Sequence, residues 1–250
     1  MQVSDFRQGV ESHSLSFFRE PLNVALLFAL PLLTIELYSQ AFGTFHAQVI
    51  DARLLIRGQV ESAQTLGHLT GALFATGTLA GVLGLFQVLS ARSADQRLRI
   101  CGASTPALLG SRVVATLGVT LLIADVSLVW LSLITPIARP LVAFGALALA
   151  GVLYALLGTL IGAVLPRELE GSLALVIFAD LDNVFAAGVV NAEGLLPKLL
   201  PLHYPYELFQ SAIVGKPIDL AHVAYAVGYA VVLLGLALVA YRRAVEGGPS

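Results

Sequence analysis

Six apolar stretches, each about twenty residues or longer, recur along the chain at 22–42, 67–89, 106–133, 141–165, 171–190 and 220–241. A bilayer's hydrocarbon core is about 30 Å thick, and a helix rising about 1.5 Å per residue crosses it in about 20 residues. Lipid offers no hydrogen bonds, so every main-chain N–H and C=O of a crossing must be satisfied internally, and segments of this kind resolve into helices. The chain therefore reads as an all-α membrane protein with six transmembrane helices. Composition supports this: 57% of the 250 residues are hydrophobic and 12% are charged, whereas an ordinary soluble domain is about 25% charged. The expected organisation is an interfacial segment over 1–20 followed by one membrane domain over 21–245.

Residues 1–20 lack the basic start and small-residue cleavage site of a secretory signal. Val3, Phe6, Val10 and Phe17 share one helical face, with Asp5, Arg7 and Glu11 elsewhere around the wheel, the pattern of an amphipathic helix lying in the membrane interface. Ser4, Ser12, Ser14 and Ser16 weaken helix propensity and leave a polar tail as the alternative. The net charge of −2 provides no bulk basic surface for nucleic acid. The single cysteine, Cys101, cannot close an intramolecular disulfide, so helix packing must hold the fold.

The polar stretches 43–66 and 91–105 fix the ends of the first helical hairpins. With the N-terminus in the cytoplasm, nine basic residues lie inside: Arg7, Arg19, Arg92, Arg97, Arg99, Arg112, Arg167, Arg242 and Arg243. Five lie outside: Arg53, Arg57, Arg139, Lys198 and Lys216. The positive-inside rule then places both termini in the cytoplasm and the chain in the cell membrane. Arg112, at the start of the third stretch, is expected to snorkel towards cytoplasmic headgroups. Pro31 falls inside the first stretch and is expected to bend it. Gly67/Gly71, Gly77/Gly81 and Gly158/Gly162 have the GxxxG spacing of close helix approach, within the bundle or between subunits; a glycine-rich apolar chain also yields such pairs by composition alone.

Ionisable groups at membrane depth cost about 2.5–3.5 kcal/mol each, which singles out Glu36, Asp125, Asp180 and Asp182. Glu36 is placed to reach the outer interface. Asp180 and Asp182 are two residues apart and so point about 200° apart on a helix, which disfavours a shared metal, while Asp180 and Asn183 share a face. Three readings stay open for the pair: lining a water-filled or substrate-lined pathway, bonding to neighbouring helices, or marking a local break near the outer surface. Asp125, Asp180, Asp182 and Asn183 are the candidate pathway residues.

No G-x-x-x-x-G-K-[ST] loop, H-E-x-x-H motif, G-x-S-x-G elbow or Cys/His cluster is present, so nucleotide, zinc and acyl-transfer signatures are missing. No catalytic residue or metal ligand is assigned, and the chain is read as a non-enzyme. His46, His68, His203 and His222 map to the outer side and are expected to be solvated or interfacial.

Two regions go further. One is the basic cytoplasmic turn 91–106, running into Leu108–Arg112; the other is the proline-interrupted outer segment 195–206. With Phe17-Phe-Arg-Glu-Pro21 ahead of the first stretch, they resemble the permease subunits of ABC type-2 exporters. The resemblance implies an N-terminal interfacial helix, a coupling helix at about 93–101 that docks on a cytoplasmic ATPase through Arg97, Leu98, Arg99 and Cys101, and a re-entrant segment holding Pro197, Pro201, Pro205 and Tyr206. It further implies export of an amphipathic or hydrophobic compound by a dimer of this chain or of a related permease. ATP and magnesium would sit on the partner ATPase, and membrane lipid would surround the bundle. The competing reading is a proton-coupled secondary carrier with Asp125, Asp180 or Asp182 as relay, against which counts the lack of an evident inverted repeat.

Overall fold

The structure is a computed structural model that describes residues 19, 21–44, 63–90, 94, 97, 105–165, 167–188, 190 and 197–246. The interfacial helix expected over 1–20, except Arg19, lies outside the described residues, as does the coupling segment 93–101, except Ala94 and Arg97, both helical and exposed. The described residues form seven α-helices, one 3-10 turn and no strand. In chain order these are α1 (Pro21–Thr44), α2 (Ala63–Leu89), α3 (Thr105–Ile134), α4 (Pro140–Val164), α5 (Glu168–Ala186), the turn η1 (Pro197–Leu199), α6 (His203–Val214) and α7 (Leu220–Glu246).

Every apolar stretch is a helix, and the protein is an all-α membrane protein in which five helices, α1, α2, α3, α4 and α7, are long and apolar enough to cross a bilayer. The fifth stretch, expected as a sixth crossing, is α5, whose 19 residues carry Glu168 and Glu170 in the first turn and Asp180 and Asp182 further on. Its charge sets it apart from the other five. The two glutamates favour the positive end of the helix dipole, and the helix stops at Ala186 rather than Val190. Gly188 there has φ 72°, a left-handed conformation that glycine adopts without strain. The polar stretch 43–66 is also trimmed, because α1 runs to Thr44 and α2 starts at Ala63.

α2 and α4 are the most buried of the crossing helices, and α1 and α7 the least. Glycine explains how closely the central pair approaches. A Cβ on Gly158 would strike the carbonyl oxygen of Gly81, one on Gly84 would strike that of Ala155, and one on Gly162 would come within 2.8 Å of the Leu85 oxygen. The Gly67/Gly71 pair seats α1 instead, since Cβ atoms there would lie 2.6 Å from the Tyr38 oxygen and 2.9 Å from the Ile35 Cα. These glycine pairs are thus contacts inside the bundle. The Gly77/Gly81 pairing needs correcting, because Gly77 has ordinary clearance at 3.4 Å from the Tyr154 ring and the second close glycine is Gly84. α5 docks on the same seam, with Leu175 beside Gly81 and Gly171 beside Leu85.

α1 continues as a helix through Pro31, whose missing N–H frees the Leu27 carbonyl, and Thr34 Oγ1 makes a separate i−4 bond to the Leu30 carbonyl at 2.7 Å. Arg112 does not snorkel. It is 5% exposed and donates to the main-chain oxygen of Gln87 at 3.2 Å and to Gln87 Oε1 at 3.4 Å. A guanidinium at the C-terminal end of α2 bonds a carbonyl that lacks a helical partner and complements the dipole.

The segment between α5 and α7 folds back on the bundle. Pro197 opens η1, Pro201 lies in the following turn, and Pro205 and Tyr206 are buried in the first turns of α6. Proline is tolerated there because the first N–H groups of a helix have no intrahelical acceptor. α6 closes at Gly215, φ 79°, and its last turn accepts from the α3–α4 link, Arg139 N to Ala212 O at 3.0 Å and Ala138 N to Ile213 O at 3.2 Å.

Gly158→Leu is expected to destabilise the protein by about 3 kcal/mol or more, since overpacking against main chain has no side chain to displace. Gly228→Ala, on α7 with nothing within 4 Å of a Cβ, should leave stability unchanged or slightly raised. Thermal unfolding of both variants in detergent checks the contrast.

Candidate functional site

α5 presents two faces. Gly171, Leu175, Ala179, Asp182 and Asn183 are buried, while Leu173, Val176, Ile177, Asp180 and Leu181 are exposed. The two aspartates therefore diverge as residues two apart on a helix should, and each meets a different set of partners.

Asp182 is fully buried. Its Oδ2 accepts a hydrogen bond from Tyr154 Oη of α4 at 2.6 Å and another from the Leu202 main-chain N–H at 3.0 Å. Leu202 is the residue on which α6 starts, so a carboxylate from α5 serves the N-terminal end of α6. That end has unpaired N–H groups and the positive pole of the dipole, and a carboxylate suits both. On the other side of the turn, Tyr229 Oη of α7 donates to the Leu199 carbonyl at 2.9 Å. Two helices, α5 and α7, thus hold the η1–α6 turn by its main chain, and Tyr154 of α4 fixes the carboxylate that does so.

Asp180 faces the other way and accepts from Tyr38 Oη of α1 at 2.6 Å. The Tyr38 ring packs 5.0 Å from Phe74 of α2 and 6.3 Å from Phe42 of α1, both tilted. Asn183 is fully buried, and neither end of its amide has a hydrogen-bond partner. It lies beside the Tyr38 hydroxyl. Asp180, Asp182 and Asn183 are therefore gathered at one place, where α5 meets α1, α4 and the start of α6. Asp125 is not gathered there: it lies on the exposed face of α3 with Leu121, Leu122 and Val129.

His68 departs from a solvated setting, while Glu36, 43% exposed, keeps access to its surroundings and also bonds to a neighbouring helix. Glu36 accepts from Trp130 Nε1 at 3.2 Å, and His68 Nε2 lies 3.8 Å from its carboxylate with the imidazole side chain only 12% exposed. The histidine is thus enclosed between helices rather than solvated. Among the described residues no group of three or more His, Cys, Asp or Glu could hold a metal ion.

Sequence reasoning missed the donors: Tyr38, Tyr154 and Tyr229 are the groups that reach the α5 carboxylates and the broken main chain. Their signal was a tyrosine hydroxyl inside an apolar stretch, which needs a partner, but Tyr38 and Asp180 are 142 residues apart and nothing local joins them. The site belongs to an all-helical membrane protein. No family model matches the chain, and no curated protein is significantly similar to it.

Asp182→Ala would leave the Tyr154 hydroxyl and the Leu202 N–H without an acceptor, a loss of about 2–4 kcal/mol. Tyr154→Phe removes one bond and should cost about 1 kcal/mol. Asp182→Asn keeps an acceptor oxygen and should fall between wild type and Asp182→Ala. Thermal unfolding in detergent, with amide exchange at 200–206 as the local readout, distinguishes these; an Asp182→Ala protein as stable and as protected as wild type would remove the capping role.

Proposed function

We propose that the chain is the permease subunit of an ABC exporter with type-2 architecture, driven by a separate cytoplasmic ATPase. The observation that carries this reading is the path between α5 and α7. α6 starts beside Gly77, midway along α2, where Leu202 Cδ2 approaches the glycine. Its 12 residues, about 18 Å, climb through about half of a bilayer core and end against the α3–α4 link. In this reading α5 is a sixth crossing and η1–α6 is a re-entrant pair ahead of the last span, the order in which ABC type-2 permeases resemble this chain. Broken main chain at such depth is tolerated only where protein or water satisfies it, and Asp182 and Tyr229 do that here.

The division of labour follows. Both termini and the α2–α3 turn face the cytoplasm, where Arg97 and Arg99 engage a groove of the ATPase. Two permease copies pair with two ATPase copies; closure of the ATPases on ATP moves the coupling segments and tilts the helices towards an outward-open state. ATP binding shifts the ATPase pair towards closure by its different affinity for the two states, and hydrolysis of ATP supplies the energy that returns the cycle to its start. The cargo is amphipathic or hydrophobic, and the pathway runs along α5, beside Asp180, Asp182 and Asn183.

Copurification tests the reading. The tagged full chain should bring down a Walker-motif ATPase, and Arg97→Glu with Arg99→Glu should weaken that association by about tenfold without loss of the membrane-inserted permease. Transport that persists without any ATPase and collapses with the proton gradient would replace it with a secondary carrier.

A further inference from the structure

Asp180 is a carboxylate on an exposed apolar stripe, flanked by Leu173, Val176, Ile177 and Leu181. A charge in that position costs about 2.5–3.5 kcal/mol in a bilayer, and one Tyr38 hydroxyl occupies one of the roughly four acceptor positions of a carboxylate. Among the described residues no lysine, arginine or histidine pairs with it. One turn along, the Asn183 amide is fully buried with both ends unpaired, although the neighbouring Leu199 carbonyl and Leu202 N–H are both satisfied. Unpaired buried amides are rare, because each orphaned group costs about 1–3 kcal/mol, and this one adjoins the Tyr38 hydroxyl. The Tyr38 and Phe74 rings, 5.0 Å apart and inclined at 33°, complete the surroundings.

We propose that Tyr38, Phe74, Asp180 and Asn183 form a binding site for an organic ammonium ion carrying an apolar body. Asp180 is the counter-ion at the surface, the aromatic faces hold the cation by their quadrupoles, and Asn183, buried beside the Tyr38 hydroxyl, offers its oxygen to an N–H when that hydroxyl gives way to the cation. The apolar body lies along Leu173, Val176, Ile177 and Leu181. A metal ion is a poor fit: one carboxylate and one amide fall short of the six to eight oxygens typical of calcium, and no metal-holding group is found among the described residues. The site rests on the reading of α5 as a sixth crossing, and its biological meaning, a cationic amphiphile as cargo, rests further on the exporter reading; binding needs no ATPase.

Tetraphenylphosphonium and tetraphenylborate, equal in shape and opposite in charge, are the probes. Equilibrium dialysis is performed on the full chain in phosphatidylcholine nanodiscs, without ATPase or nucleotide. Saturable binding of the phosphonium alone is expected, weakened about tenfold by Asp180→Asn, about threefold by Phe74→Leu, and unchanged by Glu170→Gln, an exposed ion-pair residue at the far end of α5. Asp180→Glu, which keeps the charge, should stay within about threefold of wild type. Equal binding of both ions overturns the proposal, as does Asp180→Asn binding like wild type. If Asp180→Asn does not fold, wild-type affinity in Phe74→Leu overturns it equally well. If Asp180→Asn leaves phosphonium binding intact and abolishes self-association, the carboxylate belongs to a contact with a second copy and the cation site is wrong. Loss of binding leaves ATPase copurification untouched, and loss of copurification leaves binding untouched, so the two readings fail separately.

Discussion

The main-chain contact between α2 and α4 is the one on which the seating of α5 and its buried carboxylate depends. With only one cysteine in the chain, no internal disulfide can join the helices, and in a membrane the hydrophobic effect does not drive them together. Close packing must do it, and that requires the small residues Gly81, Gly84, Ala155, Gly158 and Gly162 to meet backbone to backbone. Once that seam is closed, α5 can lay Leu175 and Gly171 against Gly81 and Leu85. Tyr154, on the same face of α4, then reaches Asp182. A larger residue in the seam would therefore act twice, by separating two helices and by drawing a hydroxyl away from a buried carboxylate.

Asp182 links this apolar seam to the η1–α6 turn, where the main chain leaves regular structure against the bundle. Its two donors come from α4 and from the start of α6, and Tyr229 supplies the complementary donor for Leu199. The η1–α6 turn is thus tied to α4, α5 and α7 together, so relative movement of those helices must either carry the turn along or break hydrogen bonds. In an exporter whose helices tilt on ATPase closure, this makes the α5–α6 junction the element that senses helix displacement most directly.

Much of the fold was legible because length and apolarity are local properties. Stretches 141–165 and 106–133 match α4 (Pro140–Val164) and α3 (Thr105–Ile134) to within a residue at either end. The fifth stretch ran past its helix because apolarity continues to Val190, while the stop is set by the backbone of Gly188. The opposed directions of Asp180 and Asp182 also followed from helical geometry alone. Partners were not legible. Whether Gly77 or Gly84 makes the close approach depends on the register of α4, and Arg112 resembled a snorkelling residue because the Gln87 carbonyl reaches it only after α2 and α3 pack. His68 reads as solvated or interfacial for the same reason, since Glu36 and Trp130 come from two other helices.

The two aspartates show how one short sequence divides structural and binding roles. Asp182 is buried with two donors on one oxygen, an arrangement that stabilises a fixed geometry and leaves little capacity for a passing ligand. Asp180, two residues earlier, has a single donor and an exposed setting, and it shares a helix face with an amide that has none. The first carboxylate offsets the cost of interrupting a helix; the second is offset by one tyrosine hydroxyl and by no cationic side chain among the described residues. A charge retained on an apolar surface under those terms is best accounted for by something that arrives and leaves, and the exposed stripe of α5 supplies both the apolar track and the anionic stop for such a visitor.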